Sequence, residues 1–198
     1  MKWRRTALLR LTFLLTLLCL GWLIFAPLWD PPRTPDAPDI TGPLPGPEPA
    51  ATGSQKPLQG RIDRIVIEKA ARRLSVFQGE SLVREYRIGL GFAPEGDKER
   101  QGDGRTPEGV FRVDRLNDRS KYHLSIGLDY PLPEDRARAA AGGYDPGGDI
   151  FIHGQPNQIE KGYRVPGDWT AGCIAIDNHQ IAELFAATRI GTEVEIRP

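Results

Sequence analysis

Ten prolines between residues 27 and 57 separate an apolar amino-terminal segment from a carboxy-terminal segment that can form a folded domain. The rest of that segment is mainly Gly, Ala, Asp and Thr, with almost no large apolar residue after Trp29. Such a stretch cannot bury enough apolar surface to offset its ordering entropy, and proline biases it to extended polyproline II. We therefore expect residues 30–60 to form a disordered linker, which at about 3.1 Å per residue reaches on the order of 90 Å.

The segment before the linker, residues 1–29, combines a basic start with a long apolar run. Four basic residues precede nineteen uncharged ones at positions 11–29, enough at 1.5 Å per residue to span a hydrocarbon core of about 30 Å. The rival interpretation is a cleaved signal peptide, but no small-residue cleavage site closes the run, and the residues before Cys19 are too bulky for a lipoprotein cleavage box. We expect an uncleaved inner-membrane anchor with its amino terminus in the cytoplasm. The remainder of the chain is exported under either interpretation.

From residue 61 to residue 198 the composition changes to short apolar runs of β type, punctuated by Gly and Pro. Their period-2 alternation predicts strands. A first short helix is possible before the thiol segment, and a second is predicted where Ile181, Leu184 and Phe185 share one face, capped by Asp177 or Asn178. We therefore expect one mainly β domain, a sandwich or half-open barrel. The expected strands are 62–67, 72–78, 82–89, 109–116, 122–126, 150–153, 174–176 and 194–196, with helices at 134–141 and 180–188.

The charge balance excludes one class of partner. The chain has 26 basic and 26 acidic residues, so no basic excess points to nucleic acid. The three histidines and two cysteines lack the closely paired spacing of metal ligands, and we expect neither a metal nor another cofactor.

The segment 150–178, which reads IFIHGQPNQIEKGYRVPGDWTAGCIAIDN, holds a thiol and an imidazole. Cys173 is the only cysteine outside the apolar run, and His153 ends a short apolar strand. A thiolate is a strong nucleophile, and an adjacent base can generate it from the thiol. Gly172 leaves the backbone before Cys173 free to turn, so that two neighbouring amides could bind an oxyanion. The alternatives are a buried cysteine that serves only as a small apolar residue and a redox thiol, for which the C-x-x-C partner is missing.

The pair His153-Gly154, followed by Thr170-Ala171-Gly172-Cys173-Ile174, resembles the signature of the YkuD-type L,D-transpeptidases, cysteine enzymes of peptidoglycan stem peptides. The resemblance covers about residues 61–197. It implies a YkuD-like β fold, with Cys173 as nucleophile, His153 as general base and Gly154 as the residue that steadies the imidazole. Thr170 and Gly172 fall in the loop that leads to the nucleophile.

The resemblance also implies an activity and partners. We expect a thioacyl-enzyme that cross-links stem peptides or attaches a protein, such as a wall-attached lipoprotein, to peptidoglycan in the cell envelope. Two positions depart from the usual form: Ala171 stands where many members have a second His, and Ala175 where many have Arg or Asn. These departures leave open a hydrolase of the same family, and a wall-binding module with an idle site is a further alternative.

Other residues have both a functional and a structural interpretation. The stretch 102–111 resembles the family's T-P-x-G-x-F segment and is either a structural turn or a substrate contact. His123 lines the cleft or faces solvent, and His179 is expected at the surface. The loop 155–169 is suited to cover the thiol, with Trp169 at the site and Arg164 either paired with a stem-peptide carboxylate or solvated.

Overall fold

The structure is a computed structural model that describes residues 58–159 and 162–198. The expected anchor and nearly all of the expected linker, residues 1–57, lie outside the described residues. Within the described part, no helix has the length and apolarity needed to cross a membrane.

Eight strands and two helices make up the described domain. The helices are α1, Pro133–Gly142, and α2, Asn178–Ala187. The strands are β1 Arg64–Glu68, β2 Arg73–Gln78, β3 Ser81–Arg87, β4 Gly109–Ser120, β5 His123–Leu128, β6 Phe151–His153, β7 Ile174–Ala175 and β8 Glu193–Arg197.

The strands form one sheet in the order β3-β2-β1-β8-β4-β5-β6-β7. Most neighbours are antiparallel, but β1 pairs with β8 and β6 pairs with β7 in parallel. The expected mainly β fold is confirmed as a half-barrel with two helices. A single sheet, and not a two-sheet sandwich, is therefore the architecture of this domain.

The interior consists of apolar residues that alternate along the strands. In β1 the side chains of Ile65 and Ile67 are fully buried, and Val194 and Ile196 of the paired strand β8 are nearly so. Alternation of this kind places every second side chain on the core face. Helix α2 covers part of this core with one apolar stripe, Ile181, Leu184 and Ala187.

The second helix begins two residues earlier than the sequence pattern indicates. Asp177 is its N-cap, and the backbone N–H of Asp177 donates to Gln180 Oε1 at 3.1 Å. The side chain of Asn178, the other candidate cap, instead accepts the backbone N–H of Gln155 at 2.8 Å. The start of α2 is thereby tied to the residues that follow β6.

Strand β4 differs most from its expected boundaries. β4 continues to Ser120, past the expected end at residue 116, and contains two irregularities in its pairing with β5. One of them lies between Val113 and Arg115. A bulge turns the side chains that follow it and commonly occurs beside active sites.

Candidate active site

His153 and Cys173 are brought together by the parallel pairing of β6 and β7. Ile152 pairs with Ile174 and His153 pairs with Ala175, so Cys173, one residue before β7, stands opposite Phe151. Side chains at paired positions share a face and alternate along the strand. Cys173 and His153 are therefore diagonal neighbours on one face, while Ile152 and Ile174 are fully buried on the other.

The imidazole of His153 is fixed by the next residue in the chain. Its Nδ1 lies 2.7 Å from the carbonyl oxygen of Gly154. A carbonyl can only accept, so Nδ1 carries the proton and Nε2 keeps its lone pair. A neutral imidazole in this tautomer can act as a base through Nε2.

Gly154 is held by contacts that leave no room for a side chain. Its N–H donates to the carbonyl oxygens of Tyr122 and Leu124 at 3.0 and 3.2 Å. A Cβ at this position would lie 2.5 Å from Asn178 Oδ1 and 2.9 Å from the Tyr122 carbonyl. Glycine is required here because neighbouring backbone approaches so closely.

Two aromatic rings enclose the imidazole. Tyr122 stacks on His153 with centroids 4.4 Å apart at 28°, and Trp169 approaches the same imidazole ring edge-on at 5.7 Å. The indole Nε1 of Trp169 is buried and has no hydrogen-bond partner within the described ranges. Burial lowers the pKa of His153, opposed by its bond to Gly154. The imidazole is therefore neutral near pH 7.

The thiol of Cys173 is half-buried between a backbone carbonyl, which accepts a hydrogen bond from it, and a backbone N–H, which favours the thiolate. Sγ donates to the carbonyl oxygen of Asp149 at 3.4 Å, and the N–H of Phe151 faces the sulfur. Burial is the main influence on this thiol and raises its pKa. The Phe151 amide lowers the pKa, and the Asp149 carboxylate raises it. Two nearby cations, Lys98 and Arg115, also lower it. Burial therefore favours the uncharged form of both the thiol and the imidazole.

The turn before the nucleophile is organised by Thr170. Its hydroxyl donates to the carbonyl of Cys173 at 2.7 Å and accepts the N–H of Gly172 at 3.1 Å. Gly172 has φ +136°, and a Cβ there would lie 2.6 Å from the Arg105 carbonyl. The sequence suggested that the amides of Gly172 and Cys173 converge on one point. In the structure the Gly172 amide is already bonded to Thr170.

The loop between β6 and β7 is anchored at both of its ends. Gln155 is buried, donates to the Ile176 carbonyl at 2.9 Å and accepts the N–H of Val165 at 2.8 Å. Near the other end, Asp168 accepts Arg72 Nη2 at 2.8 Å and the N–H of Leu90 at 2.9 Å. This anchoring fixes the approach to Trp169 and Thr170.

Three other candidate residues lie at the start of β5, in the loop between β6 and β7, and on α2. Arg164 Nε is 3.5 Å from Asp177 Oδ1. His123, the first residue of β5, is exposed with φ +66° and donates its N–H to Asn157 Oδ1. His179 is exposed on α2, as expected.

The stretch 102–111 is built into the fold. Thr106 is fully buried, and its hydroxyl accepts the N–H of Gly91 at 3.2 Å. Phe111 lies in the core against Tyr130. These contacts match the structural-turn interpretation. Across 58–159 and 162–198, no three His, Cys, Asp or Glu side chains are grouped so that they could hold a metal ion.

Sequence reasoning missed three residues that shape the site. Tyr122 was assigned only to a strand, Gln155 only to a loop, and Asp149 was not considered. A polar residue directly after His153-Gly154 was the one available signal for Gln155. The stacking of Tyr122 depends on the pairing of β5 with β6, which a linear pattern does not show.

Comparison with known proteins places this geometry in a family. The model of the YkuD L,D-transpeptidase catalytic domain matches residues 62–196, and the chain belongs to that family. YafK of Escherichia coli (strain K12), itself only provisionally named an L,D-transpeptidase, is 32% identical over 143 residues, which is 69% of this chain and 51% of YafK. The chain thus spans about half the length of the curated relatives it matches.

Solved structures agree on the fold. Pgp2 of Campylobacter jejuni, described as a helical cell shape determining protein, superposes with a TM-score of 0.54 at 25% identity over 73% of this chain and 52% of Pgp2. The K307A mutant of Pgp2 superposes with a TM-score of 0.55 at 24% identity, over 70% of this chain and 48% of the Pgp2 chain. The half-barrel is therefore shared with a much longer protein.

Proposed function

We propose that this chain is a cysteine acyltransferase that acts on peptidoglycan stem peptides through a thioester on Cys173. The observation that carries the proposal is the fixed tautomer of His153, whose Nδ1 is bonded to Gly154 and whose Nε2 remains an acceptor on the face that bears the thiol. This is the arrangement that base-activated thiol catalysis needs.

The first half-reaction forms the thioester. Nε2 of His153 takes the Sγ proton, and the thiolate adds to the carbonyl that joins the third residue of the stem peptide to its D-amino acid. We assign the oxyanion to the N–H of Cys173, joined by that of Gly172 once it leaves the Thr170 hydroxyl. Collapse breaks the C–N bond, and the imidazolium returns its proton to the departing amine.

The second half-reaction uses the same imidazole in reverse. An acceptor amine loses a proton to Nε2 and attacks the thioester, which releases the thiolate and gives a cross-link or an attached protein. Water in place of the amine gives hydrolysis. The absence of imidazole at Ala171, which is exposed in the loop before Cys173, favours hydrolysis as the second candidate function.

We also propose a location for this chemistry. The apolar run 11–29 would hold the protein in the inner membrane, and the proline-rich segment 30–60 would let the domain reach wall peptides in the periplasm. The likeness to Pgp2 supports a role in cell shape. A wall-attached lipoprotein remains the proposed partner for protein attachment.

Incubation of the full-length protein with purified tetrapeptide muropeptides tests the proposal. We expect intact-mass detection of an acyl adduct that is lost in Cys173→Ala, while Cys19→Ala retains it as the matched control. Product dimers indicate transfer and truncated monomers indicate hydrolysis. If no adduct and no product form, the idle wall-binding module is the better interpretation.

A further inference from the structure

Four residues form a row across four adjacent strands and end at the nucleophile. Arg115 of β4 pairs with Gly127 of β5, Gly127 pairs with Phe151 of β6, and Cys173 stands opposite Phe151. Because paired residues share a face, the side chains of Arg115, Phe151 and Cys173 are on the same side of the sheet. Strand spacing puts the two ends of the row about 14 Å apart between Cα atoms.

The side chain of Arg115 extends along this row toward the thiol. A Cβ on Gly127 would lie 2.4 Å from Arg115 Cγ and 2.7 Å from its Nε, so the missing side chain at Gly127 is what lets Arg115 cross β5. Its guanidinium carbon then lies 4.5 Å from the centre of the Phe151 ring. The bulge in β4 directly precedes Arg115. The cation is therefore held one strand away from the nucleophile.

The present partners of Arg115 are acidic and accessible. Arg115 Nη2 lies 2.9 Å from Asp149 Oδ1, and Nη1 lies 3.3 Å from Asp114 Oδ2. The Asp149 side chain is 87% exposed, and an exposed ion pair contributes little stability and exchanges readily. The carbonyl of the same Asp149 accepts the thiol of Cys173. A carboxylate beside the thiol is thus already accommodated at this position.

We propose that Arg115 is a specificity-determining residue that binds a carboxylate of the acyl donor, in the place that Asp149 occupies in the resting enzyme. If the proposed function holds, this carboxylate belongs to the D-amino acid that leaves in the first half-reaction. Only the amide nitrogen and one α-carbon separate it from the attacked carbonyl. A planar guanidinium pairs with a carboxylate through two parallel hydrogen bonds, which fixes orientation as well as charge.

Two other cations near the site are less suitable for this role. Lys98 is buried and donates to Asp103 at 2.7 Å and to the Arg100 carbonyl at 3.1 Å. Arg164 pairs with Asp177 at the start of α2. Arg115 combines exposure, a weakly held partner and alignment with Cys173.

Alkylation of the full-length Cys19→Ala protein tests the proposal without any peptide substrate. Iodoacetate carries a carboxylate, and iodoacetamide is its neutral counterpart. We expect the rate ratio of iodoacetate to iodoacetamide, normalised to free cysteine, to fall about tenfold in Arg115→Met. Asp149→Asn should raise the ratio, because it removes the competing carboxylate.

Arg112→Met is the matched control for net charge. Arg112 lies on the same strand, and its exposed side chain approaches Glu193 at 3.5 Å on the neighbouring strand β8. Its alkylation ratio should stay at the value of the Cys19→Ala parent. An equal change in Arg112→Met and Arg115→Met, or an unchanged ratio in Arg115→Met, overturns the proposal.

A second arm identifies which carboxylate is bound. The tetrapeptide donor is compared with its carboxyl-terminal amide, and we expect Arg115→Met to remove most of the preference in kcat/KM for the free acid. An undiminished preference, or one that instead follows another carboxylate of the donor, overturns the assignment to the leaving residue. Turnover of neither donor by the parent protein speaks against the proposed function, while the alkylation ratio still decides the role of Arg115.

Discussion

The ring of Tyr122 stacks on the imidazole of His153, with centroids 4.4 Å apart and the ring planes inclined at 28°. This contact joins the turn between β4 and β5 to the end of β6, and it removes one face of the imidazole from water. Tyr122 is itself 38% exposed, so a change here alters the environment of His153 without opening the core.

Replacement of Tyr122 should therefore alter the titration of His153. Tyr122→Ala admits water to the ring, and we expect the pKa of His153 to rise toward its ordinary value, with a reduced kcat. Tyr122→Phe keeps the stacked ring and should leave the pKa of His153 and kcat near their values in the unmodified protein. NMR titration of the imidazole measures the shift, and an equal effect of the two variants would show that the hydroxyl matters more than the stack.

The buried His153 should make stability depend on pH in a defined window. Its pKa is lowered in the folded state by burial, so the unfolded state binds more protons as the pH falls. The stabilisation is complete above the ordinary histidine pKa of about 6.5 and is lost as the pH falls below it. Urea unfolding between about pH 5 and 7 should show this slope, and His153→Gln should flatten it.

Cys173 should produce the opposite dependence in alkaline solution. Burial raises the pKa of its thiol in the folded protein, so the folded state retains a proton that the unfolded state loses. We expect stability to decline above about pH 8.5. Cys173→Ser removes this decline; a slope that persists in Cys173→Ser would place its origin in another group.

Gly154→Ala should damage catalysis more than folding. The new methyl group would collide with Asn178 Oδ1 and the Tyr122 carbonyl, which displaces the carbonyl that orients His153. We expect kcat to fall about 100-fold and the free energy of unfolding to fall by about 1–3 kcal/mol. In the control Gly148→Ala the nearest atom would be 3.8 Å from the new Cβ, and stability should be unchanged.

Gln155 should influence substrate binding through the loop that it anchors. Gln155→Ala leaves the Val165 N–H and the Ile176 carbonyl without their partner, at a cost of about 1–3 kcal/mol. We expect KM to rise more than kcat falls. Gln155→Glu keeps the acceptor for the Val165 N–H. We expect this variant to retain more of the loop's protection from hydrogen exchange than Gln155→Ala. An equal loss of protection in both variants would show that only the hydrogen bond to the Ile176 carbonyl matters.

Lys69 should matter for stability at a distance from the thiol. It is 2% exposed, and its Nζ donates to the carbonyls of Gly96 and Thr106 and to Glu108 Oε1. Lys69→Met should lower the free energy of unfolding by about 3 kcal/mol, because it leaves these acceptors unpaired. Arg73→Met breaks an exposed pair with Glu68 and should leave the free energy of unfolding nearly unchanged, because exposed ion pairs are screened by solvent.

The strands were predictable because their alternation is local. Residues such as Ile65 and Ile67 show the core face directly in the sequence, and Asp177 is a recognisable cap. The sequence pattern does not show the extension of β4 to Ser120, because the last four residues of this strand are polar and mostly exposed. Their strand geometry comes from pairing with β5 and not from an apolar pattern.

The candidate site was predictable only in its chemistry. His153 and Cys173 are conspicuous residue types beside glycines, and the resemblance gave them roles. The stack of Tyr122, the bond from Cys173 to Asp149 and the alignment of Arg115 all depend on register between strands that are distant in sequence. The engagement of the Gly172 amide by Thr170 likewise depends on the rotamer of a single side chain.

The position of β8 has a consequence for how the domain assembles. β8 follows every other strand in chain order, yet it lies in the middle of the sheet, between β1 and β4. Within the sheet, β8 joins strands β1 to β3 to strands β4 to β7, and a bridge from Gly89 to Ala175 gives these two groups a second link. Because the parallel pairing of β1 with β8 joins strands that are distant in the sequence, we expect the sheet around the thiol to be completed only when residues 193–197 are available to pair.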